Sequence, residues 1–317
     1  MGFNRLISGL LLFFFVVSCN NNGSDKSIPQ IGGLSPVVNA DTTQSMDEAY
    51  AGDSEEVESQ STSQSTDTEI KLLSWNIANL GKSKDDEEIG TMANVIKNFE
   101  VVAIQEVVAG PGGAQAVARL VDALDRKGSK WDYVVSDPTS GGKGVERYAF
   151  LWKPSRVKLK GRAWLDKNVA DAVDREPFMA RFERAGNVIT VASFHAVPQS
   201  KYPNAEIELL KDFPKWYNED HLILVGDFNA GNQEYGGQSL TEQGFKDAMN
   251  NTKTTIKMKP DAQGNHLANP FDHMYFENKE LQINDKGTVD FTRQYNDLKS
   301  ARLISDHIPV WASVSVR

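Results

Sequence analysis

From residue 70 onward the chain is a succession of short apolar runs broken by polar turns. The runs at 70–75, 101–105, 131–135, 148–152, 188–194, 222–226, 271–276 and 308–316 have strand length, and several are continuously apolar, as in strands buried on both faces. Three longer stretches, 87–99, 114–126 and 205–217, space their apolar residues at three and four and sit beside turn or capping residues, which predicts helices. Strands outnumber helices and do not strictly alternate with them. That pattern predicts a layered α/β fold of two packed β-sheets with helices outside, in preference to one doubly wound sheet.

The pattern changes before residue 70. Residues 20–68 are rich in Ser, Thr, Gln, Asn, Gly and acidic residues and carry few large apolar groups, so they cannot build a core. Met1 to Arg5 followed by an apolar run to Val17 has the layout of an export signal, too short to span a bilayer comfortably. Val16-Val17-Ser18-Cys19 resembles a bacterial lipobox, in which the cysteine after the cut is acylated. Cys19 is the sole cysteine of the 317 residues, so it has no intrachain disulfide partner. The expected organisation is a lipoprotein signal at 1–18, a lipidated cysteine and acidic tether at 19–69, and one domain at 70–317. Asp does not follow Cys19, so the inner-membrane retention signal of many lipoproteins is not seen; the expected place is the periplasmic side of an outer membrane or the cell surface.

The net charge of −9 belongs mostly to the tether. Residues 1–69 hold ten Asp and Glu against Arg5 and Lys26, which leaves 70–317 nearly neutral. Acidity of the whole chain therefore does not exclude a polyanionic substrate.

Five polar motifs close apolar runs: Trp75-Asn76-Ile77, Gln105-Glu106-Val107, Phe194-His195, Gly226-Asp227-Phe228-Asn229 and Ser305-Asp306-His307. Strand ends that converge can assemble one site from distant residues. Carboxylate and amide oxygens suit a hard cation such as Mg²⁺, which keeps several waters and needs few protein ligands. No His-Glu-x-x-His array and no nucleotide-binding P-loop competes, so neither zinc nor a nucleotide cofactor is expected.

These motifs, with 133–138 (Tyr-Val-Val-Ser-Asp-Pro), 146–150 (Glu-Arg-Tyr-Ala-Phe) and Arg175-Glu176-Pro177, resemble the endonuclease/exonuclease/phosphatase superfamily, and within it the deoxyribonuclease I-like enzymes. The resemblance covers essentially all of 70–317 and implies a four-layer α/β/β/α sandwich. It implies that Glu106, Asn76 and Asp306, with Asp227, hold the metal. His195 and His307 would flank the scissile phosphate, oriented by Glu146 and Asp272 respectively. Asp227 and Asn229 would bind or polarise the attacking water and hold the phosphate or a second metal, and Arg175 would face a phosphate oxygen. The implied cofactor is Mg²⁺, with Mn²⁺ as a substitute and structural Ca²⁺ left open. The implied partner is DNA, cut outside the cytoplasm by a monomer.

Two positions depart from the deoxyribonuclease I pattern. Gly144 and Val108 stand where a tyrosine and an arginine enter the minor groove, which weakens the case for the same duplex grip. Lys143, Arg147 and the basic run 153–162 could compensate through phosphate contacts, although alternating Lys and Arg also describe the solvated face of a strand. A phosphodiesterase or phosphatase of the same superfamily, acting on a phospholipid, a sugar phosphate or abasic DNA, is the alternative within this chemistry. A catalytically silent lipoprotein that binds a polyanion or partner is the alternative outside it. The anchor has its own test. Cells expressing the chain with labelled palmitate should incorporate label into it, and Cys19→Ser should abolish incorporation; label retained in the variant would remove the lipobox reading.

Overall fold

The computed structural model describes residues 68–141, 144–217, 221–277 and 280–317. The expected signal, Cys19, nearly all of the tether and Lys143 lie outside the described residues.

Twelve strands form two mixed sheets among those residues. The first runs β11 (Leu281–Thr288), β12 (Val310–Val316), β1 (Ile70–Leu80), β2 (Val101–Val108), β4 (Glu146–Trp152), β3 (Asp132–Val135). The second runs β5 (Lys158–Leu165), β6 (Phe178–Arg184), β7 (Asn187–His195), β8 (Leu222–Asp227), β10 (Asp272–Glu277), β9 (Phe245–Asp247). Each sheet has one parallel pair at its centre, β1 with β2 and β7 with β8, and every other pairing is antiparallel. Helices α1 (Asp86–Ile96), α2 (Pro111–Asp125) and α6 (Leu298–Ile304) cover the first sheet. Helices α3 (Asn204–Leu209), α4 (Phe213–Tyr217) and α5 (Tyr235–Glu242) cover the second. The expected four-layer α/β/β/α sandwich is therefore observed.

Strand alternation divides the core into layers. Leu73, Trp75, Val102 and Ile104 pack outward against Ile89, Met92, Val117 and Leu120 of α1 and α2. Ala192, Phe194, Leu224 and Tyr275 pack outward against Ile207, Phe213 and Leu240. The other parity meets between the sheets: Leu72, Val101, Ala103, Tyr148, Phe150, Val191, Val225 and Met274, with Phe150 stacked on Phe178 at 5.2 Å between centroids. Continuing that inner parity to the strand ends reaches Asn76 on β1, Glu146 on β4, His195 on β7, Asp227 on β8 and Asp272 on β10. The inner face thus turns from apolar to polar at one pole, beyond the carboxyl ends of both parallel pairs.

Several elements depart from the sequence expectation. β6, β9, β11, α5 and α6 were not expected as elements, β5 was anticipated only as one reading of the basic run, and the single helix expected at 205–217 is α3, a 3-10 turn at Leu210–Asp212, and α4. Pro214 has no backbone N–H, which helps to explain the break. The basic run expected as a phosphate patch or a strand face continues into β5, an edge strand whose Leu159 and Ala163 pack on the inner core while Lys158, Lys160 and Arg162 are exposed. Lysines on an edge strand discourage pairing with a second chain.

Gly226 is the tightest backbone approach in this core. Its φ is +139°, and a Cβ there would lie 1.8 Å from the Phe194 carbonyl oxygen on neighbouring β7. Gly226→Ala should therefore lower stability by more than about 3 kcal/mol, or yield no soluble protein. Urea unfolding would measure it, and a near-wild-type midpoint would contradict this account of the β7–β8 spacing.

Candidate active site

A cleft of about 560 Å³ opens at the polar pole, lined by Glu106, Glu146, Arg175, His195, Asp227, Asn229, Asp306 and His307 among others. Asn76 and Asp272 are buried immediately behind it, bonded to Asp227 and His307 respectively. The structure therefore brings together ten of the residues expected to act.

Two histidine–carboxylate pairs face one another across Asp227. His195 Nδ1 lies 3.0 and 3.1 Å from the two Glu146 oxygens, and His307 Nδ1 lies 2.7 Å from Asp272 Oδ2. Each carboxylate accepts the Nδ1 proton, which turns Nε2 toward the cleft. Both Nε2 atoms lie 3.6 Å from the same oxygen, Asp227 Oδ2. Burial opposes the charged form of both rings. At His195 the Glu146 charge and hydrogen bond outweigh it, reduced by Arg175, and the pKa is raised. At His307 burial is outweighed by Asp272, Asp227 and Asp306, and the pKa is pushed up to about 10.

Glu106 breaks the parity rule, because its neighbour Gln105 holds the inward position and bonds Ser74 and Ser193 across the two sheets. A register shift in β2 between Ile104 and Val107 inserts an extra residue opposite β4, and Glu106 adopts φ +60°. This bulge re-aims the side chain into the cleft. Three bonds hold the strained residue. Asn76 Nδ2 donates to Oε1 at 2.9 Å, Asn79 N donates to Oε2 at 3.1 Å, and its own N–H donates to Glu146 at 3.2 Å.

The oxygens of Glu106, Asp227 and Asp306 are the hard donors a divalent cation prefers. Asn76 Nδ2 bridges Glu106 and Asp227 at 2.9 and 3.1 Å, while its buried Oδ1 has no hydrogen-bond partner. An orphaned amide oxygen beside two carboxylates fits a cation-binding set. Among the described residues no group of three or more His, Cys, Asp or Glu is drawn together as a complete metal cage, so such an ion would take much of its coordination from water and substrate.

Arg175 is buried, and its guanidinium donates to the carbonyls of His195 and Ala196. Its Nη1 faces Gly144, where a Cβ would lie 3.0 Å away, and stands 3.9 Å from Glu146. Asn229 is anchored by its N–H to Asp227 and its amide to Ala196 O. Arg147 is not brought to the cleft. Its guanidinium binds the carbonyls of Ala109 and Ser136, tying two loops together.

The supporting residues were not assigned roles from sequence. Trp75 Nε1 donates to His307 O at 2.8 Å, and Ser305 Oγ donates to Asn76 O at 2.6 Å while accepting from His307 N. Both lie inside motifs noted for their neighbours. Thr254 Oγ1 donates to Asp272 Oδ2 at 2.5 Å, and the buried Lys84 ammonium caps the carbonyls of Leu303 and Ile304 at the end of α6. Neither carries a local sequence signal, since the partner of each is distant in the chain.

Two six-stranded sheets with this convergence of imidazoles and carboxylates define a phosphoester-hydrolase architecture, and the chain belongs to the Endonuclease/Exonuclease/phosphatase family, whose model matches residues 73–307. It is 29% identical over 263 residues to a deoxyribonuclease of Thioalkalivibrio, covering 77% of this chain and 70% of that one. It is 30% identical over 177 residues to deoxyribonuclease-1 of Canis lupus familiaris, covering 51% of this chain and 61% of that one. An endonuclease/exonuclease/phosphatase family protein of Bacteroides thetaiotaomicron shares the fold, with a TM-score of 0.57 and 18% identity over 79% of this chain and 98% of that one.

The raised pKa of His307 has a signed consequence. A protonated ring paired with Asp272 stabilises the fold fully below the ordinary value of 6.5, and the contribution is lost as pH rises toward 10. In chelator, the difference in unfolding free energy between wild type and His307→Gln should shrink steadily from pH 6 to pH 10. A difference independent of pH would contradict the assignment.

Proposed function

We propose that the chain is a Mg²⁺-dependent phosphodiester hydrolase, a deoxyribonuclease I-like endonuclease that cuts DNA outside the cytoplasm from a lipid anchor at Cys19. The observation that carries the catalytic reading is the pair of imidazole Nε2 atoms, each backed by a buried carboxylate and each 3.6 Å from Asp227. In-line displacement at phosphorus needs a proton removed from the attacking water on one side and supplied to the leaving oxygen on the other. Two imidazoles facing one phosphate do both without rearrangement. Glu146 and Asp272 fix each ring and stabilise its charged form, while Asp227 and Asn229 position the water. Arg175 places positive charge against the phosphoryl oxygens. Glu106, Asn76, Asp306 and Asp227 would hold Mg²⁺, which supplies positive charge to the phosphate as negative charge accumulates on it.

The deoxyribonuclease relatives support DNA as substrate. Val108 and Gly144 keep a second reading open, a phosphodiesterase of the same chemistry on another phosphoester, because both line the cleft and neither can enter a groove.

Purified full chain should nick supercoiled plasmid in Mg²⁺ and not in chelator. His195→Ala and His307→Ala should each reduce nicking by about 10²- to 10⁴-fold. Nicking that persists in chelator, or survives both substitutions, would overturn the mechanism; turnover of phospholipid or sugar phosphate without nicking would favour the second reading.

A further inference from the structure

The cleft offers few cations to a polyanion. Among the described residues Arg175 is the one lining Lys or Arg, set against the carboxylates of Glu106, Glu146, Asp227 and Asp306. Three of the nearby cations have other partners, while Lys82, next to the Gly81 that packs on Val108, is exposed. Arg147 and Lys84 donate to backbone carbonyls, and Lys201 lies 3.7 Å from Asp174. Duplex DNA is gripped chiefly through its phosphates and hides the faces of its bases. This cleft has little of what such a grip requires.

Its lips are apolar. On the side of the first sheet, Val108 and Val145 line the cleft and are 37% and 43% exposed. On the side of the second sheet the chain leaves β7 through Pro198, which also lines the cleft, makes a 3-10 turn at Gln199–Lys201, and presents Tyr202, 82% exposed. Tyr202 is in the left-handed region, φ 60° and ψ 67°, held by its N–H to Gln199 O and followed by Pro203. That conformation is strained for a non-glycine residue, and an exposed ring recovers little of the cost by packing. A strained backbone here holds an aromatic face out in water four residues beyond the cleft-lining Pro198.

Resting on the nuclease reading above, we infer that the cleft takes the phosphodiester of an unpaired nucleic acid strand. Val108 and Val145 contact the sugar or base on one side of the scissile phosphate, and Tyr202 stacks on a nucleobase on the other. An unpaired strand exposes the π-faces that a duplex buries, and stacking on an aromatic side chain tolerates any base. Arg175 then meets one phosphate track rather than two.

The test compares one oligonucleotide as a single strand, annealed to its complement, and as a single strand with tetrahydrofuran in place of the nucleotides flanking the cut. Full chain in Mg²⁺ should cut the single strand with kcat/KM at least about tenfold above the duplex. Tyr202→Asn suits the left-handed backbone and removes the ring. It should raise KM for the intact strand about tenfold with little change in kcat, and bring the ratio of intact to base-free kcat/KM toward one. Tyr202→Phe should restore both. Equal or faster duplex cutting, or an unchanged KM in Tyr202→Asn, would overturn this inference and leave the nuclease reading standing. No cleavage of any oligonucleotide by wild type would overturn both.

Discussion

The packing between the two sheets is the constraint on which the site depends. Asn76, Glu146, His195, Asp227 and Asp272 occupy positions whose direction is set by Leu72, Phe150, Val191, Val225 and Met274 further down the same strands. Side chains alternate with period two, so a one-residue slip in a strand would turn its polar terminus away from the cleft and expose its core residues. The energy that fixes the register is hydrophobic and nonspecific in kind. The geometry it imposes on five polar groups is specific. Two parallel pairs stacked face to face also place four carboxyl ends at one pole, which antiparallel pairs alone would not do.

Glu106 is placed by a different principle, and its cost is visible. Gln105 uses the inward position of β2 to tie Ser74 to Ser193 between the sheets, so the next residue can reach the cleft only through a bulge and a positive φ. The bonds from Asn76, Asn79 and to Glu146 over-determine the strained residue, as strain at a functional position requires. Asn76 thereby serves both sheets, since the same amide reaches Asp227 on β8.

Much of this was legible in the sequence, for identifiable reasons. The buried central strands announced themselves as continuous apolar runs, and the polar residues beside the ends of those runs are the ones the fold gathers at one pole. Edge strands were hidden. β11, with Gln282, Asn284, Asp285 and Lys286, reads as a loop because only Leu281 and Ile283 face the core. The bulge at Glu106 was invisible, as no glycine or asparagine marks the positive φ. Lys143 lies outside the described residues, and Arg147 illustrates a limit of charge counting: a guanidinium beside the expected site is consumed by two carbonyls. Thr254 and Lys84 act on residues 18 and more than 200 positions away, a relation that only the tertiary fold creates.

The division of labour between strands and loops separates the bond broken from the molecule carrying it. Of the residues proposed to move protons, His195 sits on a strand end whose register the core enforces and His307 lies just before β12, fixed by bonds to Trp75, Ser305 and Asp272, so neither tolerates much variation. Gly144, Val145, Pro198 and Tyr202 lie in connecting segments, and the exposed rings and methyls among them can be exchanged at small cost to stability. The clamp that holds Arg175 is intermediate. Buried Glu176 beside it accepts from Ser140 and from Lys167, tying two surface loops together without a disulfide. A family built this way can keep one phosphoryl chemistry while its lips are rewritten, which is why similarity along the strands argues for the reaction and the loops must be read separately for the substrate.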